Sequence, residues 1–268
     1  MMKYKIIALD IDGTLASSSH EILPETQKAL IKAQEMGLKV ILASGRPTPG
    51  MLKLSEALEL ERFGGFVLSY NGGRITNMQT GEVIHEVALT PEEAHEIYDL
   101  AKTHGVNIMA YDALDIITED DDEYIQLEST INTMPLVKTE SFKTSVVNPT
   151  IKTLTTGAPE VIAEIEKHYI ATFGERFSIC RSMPFFLEVM PQGINKALSL
   201  GKLLNKLDMT PEDLMACGDG FNDIEMIKYA GFGVAMGNAV DEVKAVADYV
   251  TRTNDENGIV DVLEKFVF

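Results

Sequence analysis

The sequence predicts an α/β protein built on a doubly wound parallel sheet and interrupted by an inserted α+β module. Three observations carry this. Short unbroken apolar runs, Ile6-Ile7-Ala8-Leu9 and Val40-Ile41-Leu42-Ala43, have the character of strands buried on both faces. Helical patterns separate those runs, and strands alternating with helices imply a parallel sheet whose sites lie beyond the strands' carboxyl ends. The rhythm stops after Asn71-Gly72-Gly73 and resumes at Asn195.

Each element follows from local signals. Pro24 opens a helix with Ala29, Leu30, Ala33 and Met36 on one face, and Gly37 sits where a left-handed cap would end it. A helical stretch is expected near 51–60, then a strand at Phe66-Val67-Leu68. Gly81 marks the turn of a hairpin expected to leave the core. Thr90-Pro91-Glu92-Glu93 is a capping box that opens a helix running to about Gly105. Between 106 and 190 the pattern gives strands near 106–111, 115–118, 151–156 and 177–190, with helices near 122–132 and 159–172. Past Asn195 come a helix to about Leu207, a strand at Leu214-Met215-Ala216-Cys217 and a helix over 223–229. Short strands at 232–235 and 248–251 and a helix near 259–265 close the chain. Residues 1–83 and 190–268 thus read as one core domain, and 84–189 as an inserted cap.

Composition narrows the function classes. At 268 residues, with 45% hydrophobic and 24% charged residues, the chain can bury a sizeable core. The net charge of −18 gives no basic footprint for nucleic acid. It would also repel a phosphorylated substrate at long range, so any phosphate site must be locally positive. No apolar run approaches the ~18 residues of a membrane span. The start, Met-Met-Lys-Tyr-Lys, is followed by too few apolar residues for a signal peptide, so a cytoplasmic location is expected. Cys180 and Cys217 share no metal-ligand spacing and are expected to be small buried hydrophobes. The acidic run 119–123 lacks EF-hand spacing and reads as a solvated loop or helix start. The five histidines show no metal-ligand pairing.

The strongest chemical signal is Asp10-Ile11-Asp12-Gly13-Thr14-Leu15, directly after a buried strand. In extended chain, residues two apart point the same way, so both carboxylates can face one ligand. Their mutual repulsion should raise one pKa and favour a nucleophile-plus-acid pair. Gly13 lets the backbone turn close to a phosphate, and Thr14 can hydrogen-bond local backbone. The second signal, Gly218-Asp219-Gly220-Phe221-Asn222-Asp223, lies at another strand end. Asp223 by itself reads as an N-cap. Carboxylates converging from two strand ends require a cation, and magnesium suits such oxygen donors.

Together with Ser44 in Ala43-Ser44-Gly45-Arg46-Pro47 and with Lys196, these segments resemble the four ordered motifs of the haloacid dehalogenase superfamily. The insertion between the second and third motifs resembles the Cof-type subfamily, subclass IIB, with its large α/β cap and characterised sugar phosphatases. The resemblance spans the whole chain, including the cap exit Ser182-x-Pro184-Phe185-Phe186-Leu187-Glu188-Val189. Where the family often has Gly-Val-Ser-Lys, this chain has Gly193-Ile194-Asn195-Lys196.

The resemblance implies a Rossmann-like core and a Mg2+-dependent phosphatase. Asp10 would be the nucleophile that becomes an aspartyl-phosphate, and Asp12 the acid and then the base. Ser44 and Lys196 would hold the phosphoryl oxygens. Asp10, Asp219 and the backbone carbonyl of Asp12 would ligate the metal, supported by Asp223. Gly45, Arg46, Asn71 and Asn222 are further candidates to touch substrate. Arg46 could instead pair with an acidic neighbour, and Asn71 could be a plain turn residue. The cap is expected to close over the core and select the leaving group, with Arg181, Ser182 and Glu188 as candidates. The partner implied is a small phosphorylated metabolite, with no nucleic acid and no membrane, the protein being a monomer or weak homodimer. A phosphomutase and a non-catalytic phosphate-binding regulator stay open as alternatives.

Overall fold

A computed structural model describes residues 3–112 and 114–268. The chain begins with β1 (Ile6–Leu9), α1 (Pro24–Glu35), β2 (Lys39–Ala43), α2 (Leu52–Ala57), α3 (Leu60–Phe63), β3 (Phe66–Ser69), β4 (Arg74–Asn77) and β5 (Val83–Glu86). Side chains of β1 alternate between two cores. Ile7 and Leu9 join Leu30, Val40 and Leu42 on one face; Ile6 and Ala8 join Ile41, Ala43 and Phe66 on the other. The helix expected near 51–60 is broken, because Glu59 takes a left-handed φ of 52° between α2 and α3. The hairpin around Gly81 does not leave the core. β4 pairs antiparallel with β3 and β5 extends the same sheet. Ile75 of β4 is fully buried beside Leu68, and that apolar contact keeps the hairpin on the sheet.

The inserted segment contains α4 (Pro91–Thr103), β6 (Asn107–Asp112), β7 (Asp115–Thr118), α5 (Glu123–Asn132), β8 (Leu136–Lys138), α6 (Phe142–Ser145), β9 (Thr153–Thr156), α7 (Pro159–Phe173), β10 (Phe177–Met183) and β11 (Phe186–Pro191). Its strands form a six-stranded sheet in the order β10-β11-β9-β6-β7-β8. Ala94, Ile97 and Ala101 of α4 and Ile162, Ile165 and Tyr169 of α7 share one core with Ile108, Ala110, Leu187 and Val189 of the sheet. The capping box at Thr90 is formed on both sides. The stretch expected as one strand over 177–190 is two strands, turned at Pro184-Phe185. β8 and α6 had no forecast, being too short to show a period. Asp122 accepts from Ile125 N at 2.8 Å, so the acidic run does open a helix. Arg181 pairs with Glu166 at 2.9 Å, and buried Glu188 pairs with Lys152 at 2.8 Å. Cys180 is exposed on β10, contrary to expectation, whereas Cys217 is buried.

The chain returns with α8 (Lys196–Lys206), β12 (Leu214–Gly218), α9 (Ile224–Tyr229), β13 (Phe232–Ala235), α10 (Asp241–Lys244), β14 (Tyr249–Val250) and α11 (Gly258–Phe266). The core sheet runs β14-β13-β12-β1-β2-β3-β4-β5, parallel from β14 to β3. β1 lies between β2 and β12, so connections leave it on both sides and open a crevice at the carboxyl ends. By internal packing the chain divides into two compact units, the residues up to His85 with Asn195–Phe268, and Glu86–Ile194. Among the described residues, no helix is long and apolar enough to cross a membrane.

Candidate active site

Four motif residues of the core unit follow directly on a strand or open a helix. Asp10 follows β1, Ser44 follows β2, Asp219 follows β12, and Lys196 is the first residue of α8. Asn195, the departure from the family pattern, caps α8 by accepting from Leu198 N at 2.7 Å. An amide oxygen does here what a serine hydroxyl would do, which leaves Lys196 at the helix start.

Lys196 is 1% exposed and donates to Asp10 Oδ1 and Asp223 Oδ1, both at 2.6 Å. One carboxylate oxygen each from Asp10, Asp219 and Asp223 lies within 4.8 Å of the other two. Asp223 is also the structural brace of its loop, because Oδ2 accepts from Asp219 N and Gly220 N, each at 3.0 Å. Three carboxylates, once ionised, would carry two more negative charges than the one ammonium balances. A hard divalent cation with oxygen ligands fits that set, and Asp10, Asp219 and Asp223 are the side chains that could hold it.

Burial, reinforced by the charges of Asp223 and Asp219 and opposed by Lys196, pushes the Asp10 carboxyl up to about 7. A raised carboxyl is thus found in the first motif, but burial, Asp223 and Asp219 raise it, not the repulsion from Asp12 that the sequence suggested. Burial likewise raises Asp219, partly offset by its hydrogen bond from Thr14. Burial alone would lower Lys196; Asp10 and Asp223 more than reverse this and leave it raised, hence firmly cationic.

Asp12 lies apart from that carboxylate trio. Its side chain is half-exposed and gripped by Arg46, whose Nε donates to Oδ2 at 2.9 Å and Nη2 to Oδ1 at 2.5 Å. Of the two readings open for Arg46, the structure thus displays pairing with an acidic neighbour. His20 approaches the same carboxylate at 4.0 Å. Buried Ser44 accepts from Arg46 N at 3.2 Å, and Asn71 N donates to the Ser44 carbonyl at 2.8 Å. Asn222 donates to Asn71 Oδ1 at 3.0 Å, which joins the loops after β3 and β12. Gly45 is tight against Asn71, where a β-carbon would stand 3.1 Å from Nδ2.

Several supporting residues escaped the sequence reading. Thr14 does not hold its own loop through its side chain; the hydroxyl donates to Asp219 Oδ1 at 2.9 Å. Asn238, after β13, donates to the Gly13 carbonyl at 2.8 Å and accepts from Asn254 N at 3.1 Å. Ser199 of α8 donates to the Gly72 carbonyl at 2.7 Å. An Asn three residues beyond the end of a buried strand was the available signal for Asn238; nothing local marks Ser199.

A family profile for haloacid dehalogenase-like hydrolases matches residues 7–263. The chain belongs to that family. A crystal structure of a haloacid dehalogenase-like hydrolase from Bacteroides thetaiotaomicron superposes with a TM-score of 0.94 at 44% identity, covering 98% of this chain and 99% of that one. The sugar phosphatase BT4131 of HAD subclass IIB superposes with a TM-score of 0.79 at 30% identity, covering 98% of each chain. The 5-amino-6-(5-phospho-D-ribitylamino)uracil phosphatase YcsE of Bacillus subtilis (strain 168) is 33% identical over 263 residues, 98% of this chain and 96% of the relative. With the family over nearly its whole length, this haloacid dehalogenase-like hydrolase is an enzyme acting on phosphoric monoesters.

Proposed function

We propose that this hydrolase is a Mg2+-dependent phosphatase of small phosphate monoesters, sugar phosphates foremost, working through an aspartyl-phosphate on Asp10. The observation that carries the reading is a buried carboxylate, Asp10, held at 2.6 Å by a buried lysine within an acidic trio. The sugar preference rests on the subclass IIB sugar phosphatase; YcsE points to a phosphorylated polyol chain, which presents the same kind of alkoxide leaving group.

Asp10 attacks phosphorus with one carboxylate oxygen, and the bond from phosphorus to the substrate's ester oxygen breaks. Asp12 gives that oxygen a proton, because an unactivated alkoxide is a poor leaving group. Asp12, now a carboxylate, takes a proton from water, whose oxygen attacks phosphorus and releases Asp10 and inorganic phosphate. Ser44 and Lys196 face the equatorial phosphoryl oxygens, where charge must be balanced, at about 3 kcal/mol per well-placed donor. Asn222, Asn71, Gly45 and Arg46 shape the surrounding loops. A magnesium ion held by Asp10, Asp219, Asp223 and the Asp12 carbonyl would supply further positive charge to the phosphoryl group. The two unpaired thiols accord with a cytoplasmic location.

Inorganic phosphate release from a panel of sugar phosphates, polyol phosphates and nucleotides tests this, comparing Mg2+ with excess EDTA and wild type with Asp10→Asn. Release that requires both metal and Asp10 is the expected result. No release from any compound by folded, Mg2+-supplied protein would overturn the reading.

A further inference from the structure

We infer that the inserted unit carries a second metal site, for a divalent ion of the zinc class, built from His104, His168 and Glu164. It is separate from the acidic trio, whose three carboxylates all belong to the other unit.

His104 and His168 are 64 residues apart in the chain, so no ligand spacing shows in the sequence, yet His168 Nδ1 lies 3.3 Å from His104 Nε2. The ring centroids are 4.9 Å apart and the ring planes are tilted by 47°. A nitrogen pair at 3.3 Å is longer than a well-made hydrogen bond. It matches the edge of a zinc tetrahedron instead: two nitrogens bound to the metal at their usual length stand about 3.3–3.4 Å apart. Each neutral imidazole can turn a lone pair to the ion and keep its N–H on the other ring nitrogen.

The helices that carry the rings favour a cation there. His104 ends α4, and its backbone N–H takes up the Leu100 and Ala101 carbonyls at 3.3 and 3.1 Å. The other carbonyls of that last turn make the helix end a negative pole. The chain then turns at Gly105, where φ is 66° and a β-carbon would meet nothing within 4 Å, so the turn is open on that side. His168 stands in α7 beside Tyr169, which is buried in the core that α7 shares with α4.

Glu164 supplies the third donor. It precedes His168 by four residues in α7, so the two side chains share one helix face. Its carboxyl is held below the ordinary value by Lys167 and, more weakly, by His168, which makes it an ionised neighbour of that ring. In the metal-free protein Glu164 turns to Lys167 at 2.8 Å. Both partners of that pair are exposed, so the carboxylate gives up little in turning to a metal. Two imidazoles and one carboxylate suit zinc rather than magnesium, with water in the fourth position. An ion bound there ties the end of α4 to α7.

The experiment titrates Zn2+ into the untagged full chain with Mg2+ in large excess, followed by calorimetry and by the imidazole resonances in NMR. Wild type is compared with His104→Ala, His168→Ala and Glu164→Gln, each with its fold checked by circular dichroism. Wild type should bind one equivalent, shifting the resonances of His104 and His168 and leaving those of His85 and His95 in place. Each variant should bind at least about tenfold more weakly, since even a lost supporting partner of a metal ligand costs that much. If His104→Ala disturbs the end of α4, His168→Ala, at an exposed position in α7, still carries the test. No saturable binding by wild type, or wild-type affinity in a folded variant, would overturn the inference. An equivalent bound alike by both histidine variants would be an adventitious ion only. Shifts confined to His20, beside Asp12, would place the ion in the other unit and overturn the inference as well.

Discussion

Thr14 donates its hydroxyl hydrogen to Asp219 Oδ1 at 2.9 Å across 205 residues of chain. Beside it, Gly13 has a φ of 85°, and a β-carbon there would collide with Asp219 Oδ2. The acidic loops after β1 and β12 are thus fitted to one another through a hydroxyl and a missing side chain. Thr14→Val removes the donor and frees the Asp219 carboxylate to turn away. It should weaken Mg2+ binding or turnover by about 10–100-fold, the usual cost of losing a partner of a metal-ligating group. Gly13→Ala should cost more, because it adds backbone strain to a direct clash. Mg2+ titration followed by calorimetry checks both, and unaltered affinity in Gly13→Ala would contradict the fitted arrangement.

The position of Asp10 predicts a pH dependence. Its carboxyl is held at about 7 in the folded, metal-free protein against an ordinary value of 3.8, with burial as the main cause. A carboxyl that holds its proton better when folded contributes stability in full below the unfolded value. That contribution is lost as pH rises from about 4 to about 7. Between pH 5 and pH 7 the metal-free wild type should therefore lose on the order of 2–3 kcal/mol relative to Asp10→Asn. Urea unfolding of both proteins in EDTA at the two pH values reads the difference directly. Mg2+ must displace that proton, so its stabilisation of the wild type should be larger at pH 8 than at pH 6. A constant difference between the two proteins across pH would contradict the raised carboxyl.

Lys196 is buried to 1% exposure between two carboxylates. Replacing it by Met leaves Asp10 and Asp223 buried without their cation, a change that typically costs about 3–5 kcal/mol. Lys196→Met should therefore melt well below wild type in EDTA and recover part of the loss in Mg2+, which restores positive charge to the trio. It should not recover phosphate release, since the ammonium is also read as a phosphoryl contact. Recovery of both would remove Lys196 from the chemistry.

How much of this was legible in the chain depends on how local each signal is. Asp10, Ser44 and Asp219 each follow an unbroken apolar run, so strand ends and site residues could be read together. The helix expected past Asn195 put Lys196 near a helix start, although the cap at Asn195 was not foreseen. Thr14 pointing to Asp219 and Asn238 holding the Gly13 carbonyl could not be read, and Arg46 could be read as pairing with an acid but not with which one, because each contact joins loops brought together only by the order of strands in the sheet. The Asp10 carboxyl is raised, but the repulsion expected from Asp12 is not what raises it; burial, Asp223 and Asp219 do. The hairpin at Gly81 was misplaced for a related reason. Ile75 packs against the face opposite to that of Leu30 and Leu42, a partner that no local pattern reveals.

The last prediction concerns Gly72, which sets where α8 begins. Its φ is 108°, and a β-carbon would stand 2.6 Å from Ser199 Oγ and 2.7 Å from the Asn195 carbonyl oxygen. Gly72→Ala must therefore push the first turn of α8, and Lys196 with it, away from the loop after β3. Strain at a left-handed position costs about 1–3 kcal/mol, and displacement of Lys196 should lower kcat more than it raises KM. Ser199→Ala gives the control. It loses a hydrogen bond to the Gly72 carbonyl, worth about 1 kcal/mol, but makes room on one side of residue 72. In the Gly72→Ala/Ser199→Ala double variant the clash with Oγ is gone and the clash with the Asn195 carbonyl stays. The double variant should therefore be less impaired than the two single losses added together, yet remain below wild type. Fully additive losses would mean that residue 72 does not press on α8 through Ser199, and that Lys196 is positioned by its cap at Asn195 alone.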